Sequence, residues 1–242
     1  GIPLWAGQAN AEVTWATLGL GAAMGFCYLS SFFLVLYSII HQGVSATRAL
    51  MQLALIIPII FSVFWWNERP HGTQALGLII AVGSIVLLDA RRDLERRTRT
   101  SLRWTMAGMF LLVGSARLTA KAFTEMGAPE QTAFFFIALF AFSGIGATAK
   151  LLWQRPAIPP SAWAYGSLLG LINIVQALFL VRGLAELPGI IFFPAAACAS
   201  LTVTTLFATL LLGESPTSRQ YAGMVTSSVA VVLLGAMDAI GS

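Results

Sequence analysis

Apolar positions fall into eight runs along the chain, separated by short polar connections. Their approximate limits are Trp15–Ile40, Ala46–Trp66, Gly72–Ala90, Leu102–Phe123, Thr132–Trp153, Trp163–Val181, Gly189–Leu212 and Gln220–Ala239. Membrane barrels show short segments of alternating hydrophobicity, whereas these runs are long and continuous, so they predict helices. About 20 residues at 1.5 Å rise cover a hydrocarbon core. By that measure the third run is short, and the first is long enough to tilt or overhang. The expected fold is an all-α membrane protein, a polytopic helix bundle with eight spans and no soluble domain.

A polar pattern punctuates the runs twice. Glu-x-Pro-x3-Gln-x2-Gly occurs at Glu68, Pro70, Gln74 and Gly77, and again at Glu214, Pro216, Gln220 and Gly223, an offset of 146 (214 − 68). In the same register Gly43 matches Gly189, Phe61 matches Phe207, and Val86-Leu87-Leu88 matches Val232-Leu233-Leu234. Four motif positions plus flanking matches in one register point to an internal duplication. Five runs separate the two motifs. Five is odd, so the copies lie on opposite faces, which makes the repeats inverted in the membrane. That plan is common in alternating-access transporters.

Composition agrees with a lipid surroundings. Hydrophobic residues are 57% of 242, charged residues only 10%, and the mean hydropathy is +0.81. Soluble domains carry about 25% charged residues. The net charge of +4 does not indicate nucleic acid, because the basic residues form no patch among aromatics. Six of the 14 Lys and Arg fall between Arg91 and Arg103, as in a membrane-flanking loop. Counted by face, ten Lys and Arg share the side of that loop and four (Arg69, Arg117, Lys121, Arg182) the other, which places the loop in the cytoplasm and the C-terminus outside. All seven tryptophans sit at or just beyond run ends, the interfacial belt of an indole. Cys27 and Cys198 lie within apolar runs and supply neither an expected disulfide nor metal-ligand spacing.

The duplication divides the chain unequally. Residues 1–90 hold a first repeat of three spans, 91–103 an Arg-rich loop, and 104–242 a second repeat of five. The expectation is a first repeat lacking two spans, some 45 to 55 residues on the repeat arithmetic, and a complete protein of ten helices.

The segments around both motifs resemble the EamA-type family of the drug/metabolite transporter superfamily. The resemblance rests on "FSVFWWNERPHGTQALGLIIAVGSIVLL" in the first half and "LFATLLLGESPTSRQYAGMVTSSVAVVLLG" in the second, with "GLAELPGIIFFPAAACAS" and Pro58 in support. It covers nearly the whole chain and is specific for the family but not for a substrate. It implies a ten-helix carrier of small metabolites or drug-like solutes in an inner or plasma membrane. Family members usually have cytoplasmic termini, against the charge count given above.

Candidate chemistry is confined to a few polar positions. Within the motif, Pro70 and Pro216 suit a helix entry, Glu68 and Glu214 the positive helix end beside them, and Gly77 and Gly223 close helix contact. A gating role for the glutamates is the alternative. Tyr28 and Ser31, Arg48 and Gln52, Asn173 and Gln176, and Ser200 and Thr204 form pairs one turn apart inside spans, where hydrocarbon offers no partners. Either they line a solute cavity or they tie helices together, and Asn173 and Gln176 are the strongest pair. Gly21-x3-Gly25, Gly166-x3-Gly170 and Ala195-x3-Ala199 read as packing faces. Pro58 reads as a kink that leaves the Ala54 carbonyl without its usual donor. Arg117 and Lys121, with Glu125 a turn beyond, read as snorkelling cations, or as a rim attracting anionic or zwitterionic solutes.

Catalytic groupings are missing from this pattern: no paired-carboxylate cluster, His-rich spacing, nucleophile motif or phosphate loop. The expected protein is therefore not an enzyme and uses no cofactor or metal. Its partners are the lipid bilayer and a small-molecule substrate, not nucleic acid, with a homodimer left open. A membrane-embedded enzyme acting on lipid or lipid-linked substrates and a non-transporting scaffold are the alternatives to a carrier.

Overall fold

The protein is described from a computed structural model covering residues 15–42, 44–69, 72–89, 100–126, 129–155, 158–212 and 218–235. Most of those residues are helical, with no strand among them. In chain order the helices are α1 (Trp15–Gln42), α2 (Val44–Leu53), α3 (Ile56–Phe64), α4 (Gly72–Asp89), α5 (Thr100–Met126), α6 (Thr132–Gln154), α7 (Pro160–Glu186), α8 (Gly189–Leu212) and α9 (Ser218–Gly235). Where described, each predicted run falls mainly on helix, the second being shared by α2 and α3. Three stretches are long and apolar enough to cross a membrane among the described residues: Trp15–His41, Pro129–Gln154 and Pro160–Glu186. Trp15, Trp65, Trp104, Trp153 and Trp163 are all exposed, as interfacial indoles are. Cys27 and Cys198 are free thiols.

The chain divides into two compact units, each drawing on both halves of the sequence. The first combines the residues up to Phe32 with Ser115–Glu186, so it holds most of α1, the end of α5, and α6 and α7. Its core is where α1 meets α6. A Cβ added at Gly21 would lie 2.6 Å from the Phe135 carbonyl, and one at Gly25 2.6 Å from that of Leu139. Only glycine permits backbones this close. Phe123 of α5 stacks on Phe135 of α6, ring centroids 4.1 Å apart. The first half of α7 is bare, and every residue from Pro160 to Ile172 is exposed. Leu168, Leu169, Leu171 and Ile172 give it a broad exposed apolar face, a surface suited to lipid rather than water.

The second unit, Phe33–Gly114 with Leu187–Ser242, is built around α4 and α9, with α8 packed on both. Gly77 and Gly223, the motif glycines, are buried on α4 and α9. Short polar ties join the helices: Ser84 Oγ to Cys198 Sγ at 3.4 Å, and Thr202 Oγ1 to Ser227 Oγ at 2.7 Å. Ala54, Met109 and Val113 form a second cluster that includes the break between α2 and α3. The proline does not leave Ala54 stranded, contrary to the simple expectation. The Ile57 N–H donates to the Ala54 carbonyl at 3.3 Å, one residue early, which tightens the turn. Gly114 of α5 packs directly on this break, since a Cβ there would fall 3.0 Å from the Ala54 oxygen. The irregular backbone is thus buried, as a membrane demands.

Candidate functional site

Two polar constellations stand out, one in each unit. In the first unit Tyr28 of α1 donates its hydroxyl hydrogen to Asn173 Oδ1 of α7. Ser31, buried one turn on, donates to the Tyr28 carbonyl at 2.9 Å, so its hydroxyl is used by its own helix. Thr17 and Gln131 make a second polar link, from the start of α1 to the residue before α6. A phenol against an amide leaves the amide N–H2 and the remaining lone pairs for a further partner. Gln176, its expected companion, is exposed and shares none of this.

The second constellation joins remote parts of the sequence. Both oxygens of Glu68 accept backbone N–H bonds at the start of α8, from Gly189 at 3.1 Å and Ile190 at 2.9 Å. The reason lies in the helix itself. Pro188 precedes α8, and its carbonyl accepts from Ile191 and Phe192, but its side chain has no acceptor for the first amides. A carboxylate from elsewhere fills the vacancy, where the helix dipole also favours negative charge. Glu68 is held for the task by the end of α3. Asn67 takes a left-handed turn at φ 52°, and the Glu68 N–H returns to the Ser62 carbonyl at 3.1 Å. The sequence reading assigned this glutamate to the positive helix end beside it. The helix it caps through these two bonds lies 121 residues further along the chain.

The other predicted positions are dispersed. Gln52 is half-buried on α2, Ser200 is exposed on α8, and Gln74 is buried at the start of α4. Arg48, Thr204 and Gln220 lie on helices, but their side chains are outside the described residues. Pro70, Glu214 and Pro216 lie outside them altogether. Lys121 corrects an expectation: it does not snorkel. Its side chain is buried and ion-paired with Glu125, because α5 continues to Met126 and brings that carboxylate round one turn later. Gly166 and Gly170 are also corrected, since a Cβ at either would meet nothing within 4 Å.

No protein-family model matches the chain, and no curated protein matches it. Solved structures do, with 13 matching chains. One, a crystal structure described only as that of a protein, superposes with a TM-score of 0.67 over 94% of this chain and 88% of the other. The two share 14% identity, so the likeness concerns the fold alone.

Proposed function

We propose that the chain is a membrane carrier of small metabolites or drug-like solutes, built from two inverted repeats of the EamA type and working by alternating access. One observation carries the reading. The described parts of α4 (Gly72–Asp89) and α9 (Ser218–Gly235) are helical in the same 146-residue register as the two motifs. The limits of α2 and α3 taken together (Val44–Phe64) fall close to those of α8 (Gly189–Leu212) in that register, and those of α1 close to α7. The duplication seen in residues thus has a counterpart in helices, as transporter repeats have.

A second point supports the membrane plan. Glu68 and the start of α8 are bonded together, and α4, α5, α6 and α7 lie between them. Four crossings return a chain to the face it left. The same holds for Thr17 and Gln131 across α1 to α5, counting α2 with α3 as one crossing. Eight crossings satisfy both links.

Tyr28 and Asn173, bonded within the first unit, are the residues proposed to meet solute. The Tyr28–Asn173 bond itself favours a second reading, a non-transporting scaffold, because it uses the amide within the protein. Counterflow into proteoliposomes decides between the two. The panel is labelled amino acids, nucleosides, sugar phosphates and organic cations, each with excess unlabelled solute inside. A carrier accumulates at least one class transiently and saturably. Well-folded protein that exchanges none of them sinks the carrier reading.

A further inference from the structure

The bridge from Glu68 to α8 has a neighbour that the capping role does not explain. Ser62 is fully buried in the last turn of α3, and its hydroxyl has no hydrogen-bond partner. Its own carbonyl is the acceptor that anchors the Glu68 amide. A buried hydroxyl without a partner raises the free energy of the state that contains it. The same few residues therefore hold a strong tie, two bonds from one carboxylate to a helix end, and a local penalty. An element so balanced is suited to two arrangements rather than one.

We propose that Glu68 is the pin of a gate. Its carboxylate fastens the first turn of α8 to the end of α3, and its release lets that turn part from α3 and admits water to Ser62. On the carrier reading, on which this inference rests for its purpose, the parting opens one face of the protein. Release breaks the bonds to Gly189 and Ile190, and no covalent step is involved. Because Pro188 supplies no side-chain acceptor, nothing in the local chain replaces the carboxylate once it leaves.

The test needs no transported solute. In the full chain with Cys27 replaced by Ala, a water-soluble thiol reagent is applied in detergent to two reporters. Ile191→Cys reports the first turn of α8, where Ile191 is buried; it is made with Cys198→Ala. Native Cys198, fully buried further along α8, reports the body of the unit. Glu68→Gln keeps the size of the side chain but loses its charge and one acceptor. It should raise labelling at position 191 about tenfold, the factor expected for losing a charged hydrogen bond, and leave Cys198 unchanged. Ser62→Ala removes the penalty of the fastened state and should lower labelling at position 191 by about fivefold. The opposite signs matter. A carboxylate that only stabilises the fold would raise both reporters together under Glu68→Gln, and that result overturns the gate. So does unchanged labelling at position 191, or a rise there with Ser62→Ala. If counterflow fails while both shifts occur, the gate stands and the carrier reading alone falls.

Discussion

Helices α1 and α7 are alike as sequences and unlike as neighbours. They have 28 and 27 residues, both are long and apolar enough to cross a membrane, and each carries a Gly-x3-Gly pair. On α1 the pair is used: Gly21 and Gly25 admit the backbone of α6, and the Ser143 hydroxyl donates to the Gly25 carbonyl at 3.1 Å. On α7 the pair faces open space. A small-residue motif therefore permits a close approach but does not cause one. What settles the matter is whether a second helix offers a complementary face, and α6 offers α1 the small Ala138 and a hydroxyl at Ser143.

Substitutions that add bulk should separate the two helices most sharply. Gly25→Leu drives a side chain into the Leu139 carbonyl and the Phe142 Cβ, neither of which can rotate aside. The expected loss exceeds about 3 kcal/mol, the upper end of overpacking, and the protein should elute as aggregate on size exclusion. A monodisperse Gly25→Leu protein of unchanged melting temperature would show that the α1–α6 approach is not as close as described. Tyr28→Phe sharpens the comparison at the one polar tie between α1 and α7 described here. It removes the bond to Asn173, and thermal unfolding in detergent should report a loss of about 0.6 to 1.7 kcal/mol, the range for interhelical hydrogen bonds in membranes. No loss would mean that Asn173 finds an equal partner elsewhere. Gly170→Ala should have the smallest effect and the opposite sign. With open space at the Cβ, it gains up to about 1 kcal/mol of helix propensity. Destabilisation there would reveal that the bare face of α7 is covered in the membrane.

The helices were legible because an apolar run in lipid has few other ways to satisfy its backbone. Pro58 announced the break between α2 and α3, though its repair by the Ile57 N–H depended on Gly114 of another helix and could not be read locally. Glu68 was legible as a residue of note, through its repeat, but not in its partner. Capping logic runs along the chain to the next helix, whereas the helix in need was the one that follows Pro188. That proline was the available signal: a helix entry with no side-chain acceptor must be served from a distance. Lys121 was misread for a related reason. Its partner Glu125 was in view one turn on, but the burial that makes the ion pair rather than the headgroups its destination comes from packing and not from spacing. Tyr28 and Asn173 were each singled out, but nothing in their separate spacings joined them.

The central claim is that the two motif copies face opposite sides of the membrane. Single cysteines at Asn67, in the connection before α4, and at Ser218, the first residue of α9, test it directly, since both positions are exposed and five helices lie between them. With Cys27 and Cys198 replaced, an impermeant thiol reagent is added to intact cells and then to permeabilised ones. Inverted repeats predict that one cysteine labels in intact cells and the other only after permeabilisation, and the charge bias assigns Asn67 to the outside. Labelling of both from the same side would contradict the inversion, whichever side it proves to be.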